Sequence, residues 1–489
     1  MKHRKTLLAP LIGGSLLAVC AHAMAGKMET VDSAVGKLVF DGGYPTEKTM
    51  SHLIDEMDFM RATQAYMWGI PAAGMIEWKN AQDKVFKSAN GQLVSFVTQK
   101  QKQGILTPNY TTPYIAAIAD LSKTGPLVLT LPKGLMAGMV MDVHQRVLSD
   151  LGVVGPDKGE GAKYLLLPPG HEKISPEGYF VVQSPSNNVF FGVRLLGADK
   201  AEAVKTLVPQ MSTSLYNDGK GGGTPWQVMP APEAAWSQTP REGMAYWQTI
   251  NQLVQEEAVN DRDRFTLEHL RFLGIEKGKP FQPTEQQKAV LEKAAVVGQA
   301  MAKANNYAKR FEPPFWKGTH WKHAITVSVD QRAENWDQFD ERASWFYEAV
   351  SISKAMLSET PGVGQRYIVT YQDKDGKWLT GENTYKLHVP ANVPAKQFWS
   401  STVYDEKERQ MIVNDEKSPD LSSTKQGLEA NADGSVDIYY GPKPVKGHEQ
   451  NWVQTNPGEG WFTYFRFYAP TEAFFDKSWT LGDIERVNE

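Results

Sequence analysis

The chain has 489 residues, a formal net charge of −4 and one cysteine, Cys20. A mildly acidic chain lacks the clustered lysines and arginines that phosphate contacts need, which argues against nucleic acid as a partner. The length is enough for two or three domains with large cores. The 14 Trp, 18 Tyr and 20 Phe residues favour β structure.

Residues 1–25 have the features of a secretory signal peptide. These features are a positive start (Lys2, Arg4, Lys5), an apolar stretch (Leu7 to Val19) and two small-residue sites (Ala21-His22-Ala23 and Ala23-Met24-Ala25). The apolar stretch is shorter than the roughly 20 residues that span a bilayer, and no later segment is long and apolar enough. We therefore expect no transmembrane segment, and a soluble mature protein in the periplasm or secreted.

Cleavage after this segment removes Cys20. The mature chain would then have no disulfide, no cysteine-bound metal and no thiol nucleophile. A lipoprotein anchored through Cys20 is the alternative, although Val19 stands where lipidation normally requires a small residue.

The N-terminal segment, residues 26–90, is predicted to be helical. Apolar residues recur at helical spacing between Thr49 and Tyr66. Gly69 and Pro71 are predicted to end this helix.

Residues 91–237 are predicted to form an N-terminal β domain. Short β-like runs punctuated by Gly and Pro favour a sandwich or barrel. The predicted strands are 93–97, 127–131, 139–143, 164–167, 179–182 and 189–195.

Residues 238–330 are predicted to be a helical connector. Met244 to Val254 and Asp263 to Leu273 have helical periodicity, and Thr284 with Gln287 forms a capping box before a third helix. A fourth helix is predicted from Phe339 to Leu357.

Residues 331–489 are predicted to form a C-terminal β-sandwich that resembles a jelly roll. The predicted strands are 366–371, 385–389, 398–404, 411–414, 436–440 and 461–468. The predicted fold class is therefore mixed α+β, mainly β, with two β-sandwich or jelly-roll-like domains joined by helices.

Several motifs resemble a known pairing of bacterial domains. In the N-terminal half they are Thr107 to Tyr114, Ala119 to Ser122, Pro126 to Leu129, Met141-Asp142, Tyr164 to Gly170 and Arg194. In the C-terminal half they are Phe398 to Asp405, Asn414, Asp433 to Ser435, Asn451-Trp452 and Arg466 to Pro470. The chain thus resembles exported proteins that pair the domains of unknown function 1254 and 1214. This resemblance implies two β-rich domains with helices between them and no established activity.

The first candidate site lies in the C-terminal domain. Aromatic, amide, carboxylate and guanidinium side chains recur near its strand ends, and this combination suits a sugar-like ligand. The predicted ligand-binding residues are Trp399, Tyr404, Asp405, Asn414, Trp452 and Arg466, with Asn109 from the N-terminal domain. The alternative is structural, with the aromatic rings filling the core and the polar groups satisfying turns.

The second candidate site is catalytic and consists of Tyr114, Asp142 and Arg194, which suit acid–base chemistry. Alternatively, Asp142 and Arg194 form a buried ion pair between two strands.

Other kinds of site have little support in the sequence. The pair His320 and His323 lacks a suitably placed Glu, and Asp373 to Gly376 is predicted to be a hairpin turn rather than a calcium loop. No nucleophile elbow, P-loop or dinucleotide fingerprint is present, and no cofactor is implied. The sequence therefore predicts a protein that binds a small polar or carbohydrate-like molecule. A periplasmic hydrolase or lyase is the alternative, and a homo-oligomer stays open.

Overall fold

The computed structural model describes residues 27–197, 199–217 and 223–487. The predicted signal peptide and Cys20 lie outside these residues. About 28% of the chain is helix and about 28% is strand, which confirms the mixed α+β class. Among the described residues, no helix is both long and apolar enough to cross a membrane.

Residues 27–57 belong to one compact unit and the rest of the described chain to another. The first unit contains an antiparallel meander and the start of a long helix. The elements here are β1 (Met28–Ser33), β2 (Gly36–Asp41), β3 (Tyr44–Pro45) and α1 (Glu47–Ala81). The sequence did not predict these strands.

The prediction that Gly69 and Pro71 end the first helix is wrong, because α1 continues through both residues to Ala81. Gly69 serves close helix packing instead: a Cβ there would lie 2.5 Å from Ile250 Cδ1. Residues from Ala62 to Ala81 are almost all buried, and this packing outweighs the helix-breaking tendency of Pro71.

The N-terminal β region consists of two packed sheets. Its elements are β4 (Val94–Phe96), α2 (Gln99–Lys102), β5 (Tyr114–Asp120), α3 (Leu121–Thr124), β6 (Leu127–Leu131), β7 (Met136–Asp142), β8 (Val147–Gly152), β9 (Ala162–Leu167), β10 (Tyr179–Gln183), β11 (Asn188–Leu195), α4 (Lys200–Leu207), β12 (Ser212–Leu215), β13 (Trp226–Gln227) and β14 (Met229–Pro230). One sheet has the order β10-β9-β6-β12-β13 and the other β14-β4-β5-β11-β7-β8. Their facing side chains share one apolar core.

Helices cover the second face of the six-stranded sheet. They are α1, α5 (Gly243–Glu256), α6 (Arg264–Phe272) and α7 (Glu285–Ala308). The capping box predicted at the start of α7 is confirmed, since Thr284 accepts from the Gln287 backbone and Gln287 accepts from that of Thr284.

The C-terminal β region is a second pair of packed sheets. Its elements are β15 (Lys322–His323), α8 (Phe339–Glu348), β16 (Gln365–Thr370), β17 (Tyr385–Val389), β18 (Ala395–Asp405), β19 (Asp420–Ser422), β20 (Val436–Gly441), β21 (Trp452–Gln454), β22 (Trp461–Pro470), α9 (Glu472–Phe475) and β23 (Glu485–Arg486). The orders are β15-β16-β22-β18-β19 and β21-β20-β17-β23, with a shared apolar core.

Two C-terminal predictions are wrong. The helix predicted from Phe339 to Leu357 ends at Glu348, because Ala349 is extended and Ser351 has a positive φ of 67°. The strand predicted over 411–414 is only a single bridge between Met411 and Tyr404. The chain after α8 instead forms one wall of a cavity.

Candidate functional site

A cavity of about 100 Å³ lies where the six-stranded sheet and the β16–β22 part of the second sandwich meet. Its walls come from β5, β7 and β11, from β16 and β22, from the segment 105–109 and from the segment 345–356. Its lining combines aromatic and aliphatic side chains with Arg194, Arg466 and the tyrosines Tyr114, Tyr367 and Tyr464.

Strand β11 places Arg194 on the cavity. Side chains alternate between the faces of a strand, so Phe190, Gly192 and Arg194 share the cavity face while Phe191 and Val193 enter the sandwich core. Gly192 lies opposite Ala116, and a Cβ at Gly192 would lie 2.7 Å from Ala116 Cβ. These small residues leave space above the sheet between Phe190 and Arg194.

Strand β22 places Arg466 on the opposite wall by the same alternation. Tyr464 and Arg466 face the cavity, whereas Phe465 and Phe467 fill the second sandwich. Tyr367 is the partner of Arg466 in the adjacent strand β16 and also lines the cavity. The Arg466 guanidinium carbon lies 5.3–5.6 Å from the ring centres of Tyr367, Tyr404 and Tyr464, so the cation is packed among aromatic rings.

A carboxylate behind the cavity wall interacts with Arg466. Arg466 Nη1 donates to Thr402 Oγ1 at 2.8 Å, and Thr402 Oγ1 donates to Asp420 Oδ1 at 2.5 Å. Burial raises the pKa of Asp420 to about 6, while Thr402 and Arg466 oppose that rise. Asp420 therefore supplies a buried negative charge one side chain away from Arg466 at neutral pH.

Arg194 lacks such a partner. No carboxylate of the described residues forms an ion pair with it, and its nearby polar neighbours include Tyr367 and Tyr114. A guanidinium stays charged in proteins at any ordinary pH. Arg194 therefore brings an uncompensated positive charge to the cavity.

Hydrogen bonds from Lys102 hold the segment that follows Thr107 and Pro108 along the cavity edge. This lysine is 1% exposed, and its Nζ donates to the carbonyls of Asn109 (3.3 Å), Tyr110 (3.1 Å) and Thr112 (2.7 Å). Burial lowers the pKa of Lys102 to about 7.

Thr107 is strained at the cavity edge. It is β-branched and has a φ of +37°, a region that such residues rarely adopt. Its backbone N–H donates to the Arg409 carbonyl at 2.8 Å, and its own carbonyl accepts from Arg466 Nη2 at 3.4 Å. Strain of this kind concentrates at functional sites.

Three buried polar atoms of lining residues have no hydrogen-bond partner among the described residues. They are Arg466 Nε, Thr107 Oγ1 and Trp78 Nε1. All three can donate, and an unsatisfied buried donor costs about 1–3 kcal/mol. These lining residues therefore keep donors that no described residue accepts from.

Tyr464 is anchored behind the cavity wall. Its hydroxyl donates to Glu348, a buried carboxylate that also accepts from Tyr371 (2.6 Å) and Asn306 (2.6 Å). Burial and Glu348 together raise the pKa of Tyr464 well above its ordinary value, so the phenol stays neutral.

Several residues predicted from the sequence come together at this cavity. Tyr114, Arg194, Asn109 and Arg466 all line it. Tyr404 lies directly behind, where its hydroxyl accepts from Arg466 Nη2 (2.6 Å) and donates to the Pro108 carbonyl (2.7 Å). Parts of the two candidate sites of the sequence analysis thus meet at a single cavity.

Asp142 does not belong to this group. It pairs with Arg146 at 2.5 Å rather than with Arg194. In the β7–β11 register Asp142 faces Val189, whereas Arg194 faces Ala137, five residues along the strand. At about 3.3 Å per residue this is roughly 17 Å, so the ion pair proposed as the alternative does not form.

The other predicted ligand-binding residues lie in structural positions. Trp399 stacks on Phe465 in the sandwich core, and Trp452 Nε1 donates to the Gly441 carbonyl at 2.9 Å. Asp405 and Asn414 satisfy the backbone of turns, at Glu408 and at Ser418 respectively.

Thr107, Tyr367, Tyr464, Lys102 and Asp420 were not predicted as site residues. Thr107 belongs to the motif that carried the family resemblance, which was the one available signal. The others become visible only through pairing between distant segments.

No group of three His, Cys, Asp or Glu side chains in the described parts of the chain is arranged to hold a metal ion. His320 contacts Asp483 at 2.9 Å, and His323 packs against Phe315. The hairpin turn predicted at Asp373 is confirmed, with Gly376 N–H donating to the Asp373 carbonyl at 2.9 Å.

The protein thus consists of two β-sandwiches, and a cavity lined by Arg194 and Arg466 lies between one sheet of each. Family models match in the same order: Protein of unknown function (DUF1254) at residues 92–214 and Protein of unknown function (DUF1214) at residues 364–472. The chain therefore carries this pair of domains, as the motifs indicated, and each domain contributes one arginine to the cavity.

One solved structure shows the same fold. The VPA0106 protein from Vibrio parahaemolyticus is 16% identical, with a TM-score of 0.55, and the match covers 88% of this chain and all of that one. An uncharacterised protein from Burkholderia cenocepacia is 11% identical over 90% of this chain and 96% of that one, with a TM-score of 0.41. No curated protein matches the chain.

Proposed function

We propose that the protein binds a small organic anion in the cavity between its two sandwiches. The observation that carries this proposal is the lining, which places two guanidinium side chains, Arg194 and Arg466, around one space. A carboxylate or similar group would accept from these donors and compensate the charge of Arg194. Charge-assisted hydrogen bonds to arginine are among the strongest that proteins make.

The lining favours binding over the hydrolase or lyase alternative. Within the described chain, the side chains around the cavity include no Asp, Glu, His, Lys or Cys. Burial raises the pKa of Tyr114, so this phenol also stays neutral and serves as a donor rather than a base. Acid–base catalysis works best with a group that titrates near the operating pH, and carboxyl and imidazole groups, the usual choices, do not occur among the described residues of the lining.

The same lining favours an anion over the carbohydrate-like ligand predicted from the sequence. A neutral sugar would satisfy hydrogen bonds but leave Arg194 uncompensated in a partly desolvated site, which is costly. The predicted sugar-stacking residues Trp399 and Trp452 also lie away from the cavity, in the sandwich core and at a backbone carbonyl.

Thermal unfolding of the whole protein with added ligands tests this proposal. The probes are sodium acetate, sodium phosphate and glucose, at constant ionic strength set with sodium chloride. Ligand at 100 times its Kd stabilises the folded state by about 2.7 kcal/mol, so we expect an anion to raise the Tm and glucose to leave it unchanged.

Arg194→Gln should abolish the anion response. Arg366→Gln is the matched control, because Arg366 donates to the carbonyls of Leu357 and Ser358 and is absent from the cavity lining. A response that survives Arg194→Gln, or stabilisation by glucose alone, would refute the anion proposal.

We further propose that the protein is exported to the periplasm or secreted. The support is the sequence of residues 1–25, with its positive start, apolar stretch and small-residue sites. Mass spectrometry of the protein from its native host should find a mature chain that begins near residue 26. An intact N-terminus in the cytoplasmic fraction would contradict export.

A further inference from the structure

The two arginines that line the cavity differ in their partners. Asp420 lies behind Arg466 and is linked to it through Thr402. Arg194, on the opposite wall, forms no ion pair with any described residue. Lys102, a second buried cation near Asp420, donates to three backbone carbonyls and does not line the cavity. One negative charge on the ligand therefore compensates Arg194, which of the two lining arginines is the one without a carboxylate behind it.

The remainder of the lining is apolar. Phe190 shares a strand face with Arg194 and lies four residues away, roughly 13 Å along the strand. Trp78 packs edge-on against Phe190, with ring centres 5.4 Å apart. Ile105, Met139 and Met356 complete this side of the cavity. Burying an apolar group here gains about 25 cal/mol per Å² of its surface.

The cavity volume limits the size of the ligand. An apolar cavity of about 150 Å³ in another protein is enough to bind benzene. At about 100 Å³, this cavity has room for a carboxylate and a short apolar group.

We infer that the ligand is a small monocarboxylate, with its carboxylate on Arg194 and its short apolar group against Met139, which lies opposite Gly192 on the adjacent strand, two residues from Arg194. This inference rests on the anion-binding function proposed above and specifies its ligand class. The small residues Gly192 and Ala116 provide the floor over which the ligand lies.

Isothermal titration calorimetry of the whole protein separates the alternatives. The probes are butyrate, succinate, inorganic phosphate and 1-butanol, at one ionic strength and pH 7.5. We expect butyrate to bind at least tenfold more tightly than each of the others. Arg194→Gln should weaken butyrate at least tenfold, and Arg366→Gln should leave it unchanged.

Asp420→Asn supplies a second, independent readout. It removes the charge that compensates Arg466 but keeps an oxygen that accepts from Thr402. We expect succinate to gain at least tenfold in this variant relative to butyrate. Circular dichroism of each variant verifies that it is folded before titration.

The outcomes distinguish this inference from the function on which it rests. If succinate or phosphate binds the unmodified protein as tightly as butyrate, the ligand class is wrong while anion binding stands. An unchanged preference in Asp420→Asn also overturns the charge count. If no anion binds, or if 1-butanol binds as well as butyrate, both the ligand class and the anion-binding function fail.

Discussion

Replacing Asp420 with asparagine should remove a pH dependence from the stability of the protein. Asp420 is 7% exposed, and its carboxylate is held among Thr402, Ser400 and Arg466. The amide has nearly the same shape and keeps an acceptor for Thr402. The substitution therefore changes the charge and little else.

The sign follows from the two pKa values. Burial raises the pKa of Asp420 from 3.8 in the unfolded chain to about 6 in the folded protein. Between these values the folded state binds more protons, so wild-type stability falls as the pH rises through this window. At about 1.36 kcal/mol per pH unit, the loss is about 3 kcal/mol, fully present above pH 6 and absent below pH 4.

Urea unfolding of wild type and Asp420→Asn between pH 4 and pH 8 measures this difference. We expect equal stability near pH 4 and a variant that becomes about 3 kcal/mol more stable than wild type by pH 7. Asp375→Asn is the control, because Asp375 is an exposed acid in a hairpin turn. Its profile should run parallel to that of wild type.

A constant difference between wild type and Asp420→Asn across the whole range would refute the reasoning. It would mean that the folded and unfolded chains hold the Asp420 proton equally well, so that burial does not raise the pKa of this carboxyl.

Three further predictions concern the walls of the cavity. Lys102→Met leaves the carbonyls of Asn109, Tyr110 and Thr112 without their donor, which costs about 1–3 kcal/mol for each carbonyl left unsatisfied. Amide hydrogen exchange of residues 107–114 should therefore accelerate, and an unchanged exchange rate would contradict the role of this lysine. Thr107→Gly removes backbone strain of about 1–2 kcal/mol and adds a chain-entropy cost of about 0.5–1 kcal/mol. The Tm of this variant should therefore match or exceed that of wild type, and a clear fall in Tm would show that Thr107 is not strained. Gly192→Val forces a side chain to within 2.7 Å of Ala116 Cβ and should cost at least about 1–3 kcal/mol in urea unfolding; unchanged stability would contradict the close packing of Gly192 on Ala116.

The sequence predicted much of the β structure correctly. Strands 127–131 and 385–389 have the predicted bounds, because short apolar or alternating runs between turn residues leave few other structures. The prediction from sequence failed where tertiary packing outweighs the local conformational preference of a residue. Pro71 sits inside α1 because the helix around it is buried on nearly every side, and no local pattern reports that burial.

Only part of the site could be predicted from the sequence, because its residues come from distant segments of the chain. The combination of residue types was a useful signal, and it found Arg194 and Arg466. It also selected Asp142, because the sequence does not tell which end of a strand meets which partner. The contact between Arg466 and Thr107 joins residues 359 positions apart. Only the folded chain brings such groups together.

Because the cavity walls belong to different domains, each domain on its own holds half of a binding site. Arg194 lies in the first matched region and Arg466 in the second. If a ligand binds between the two arginines, as proposed above, its binding free energy adds to the energy that keeps the two sandwiches packed together.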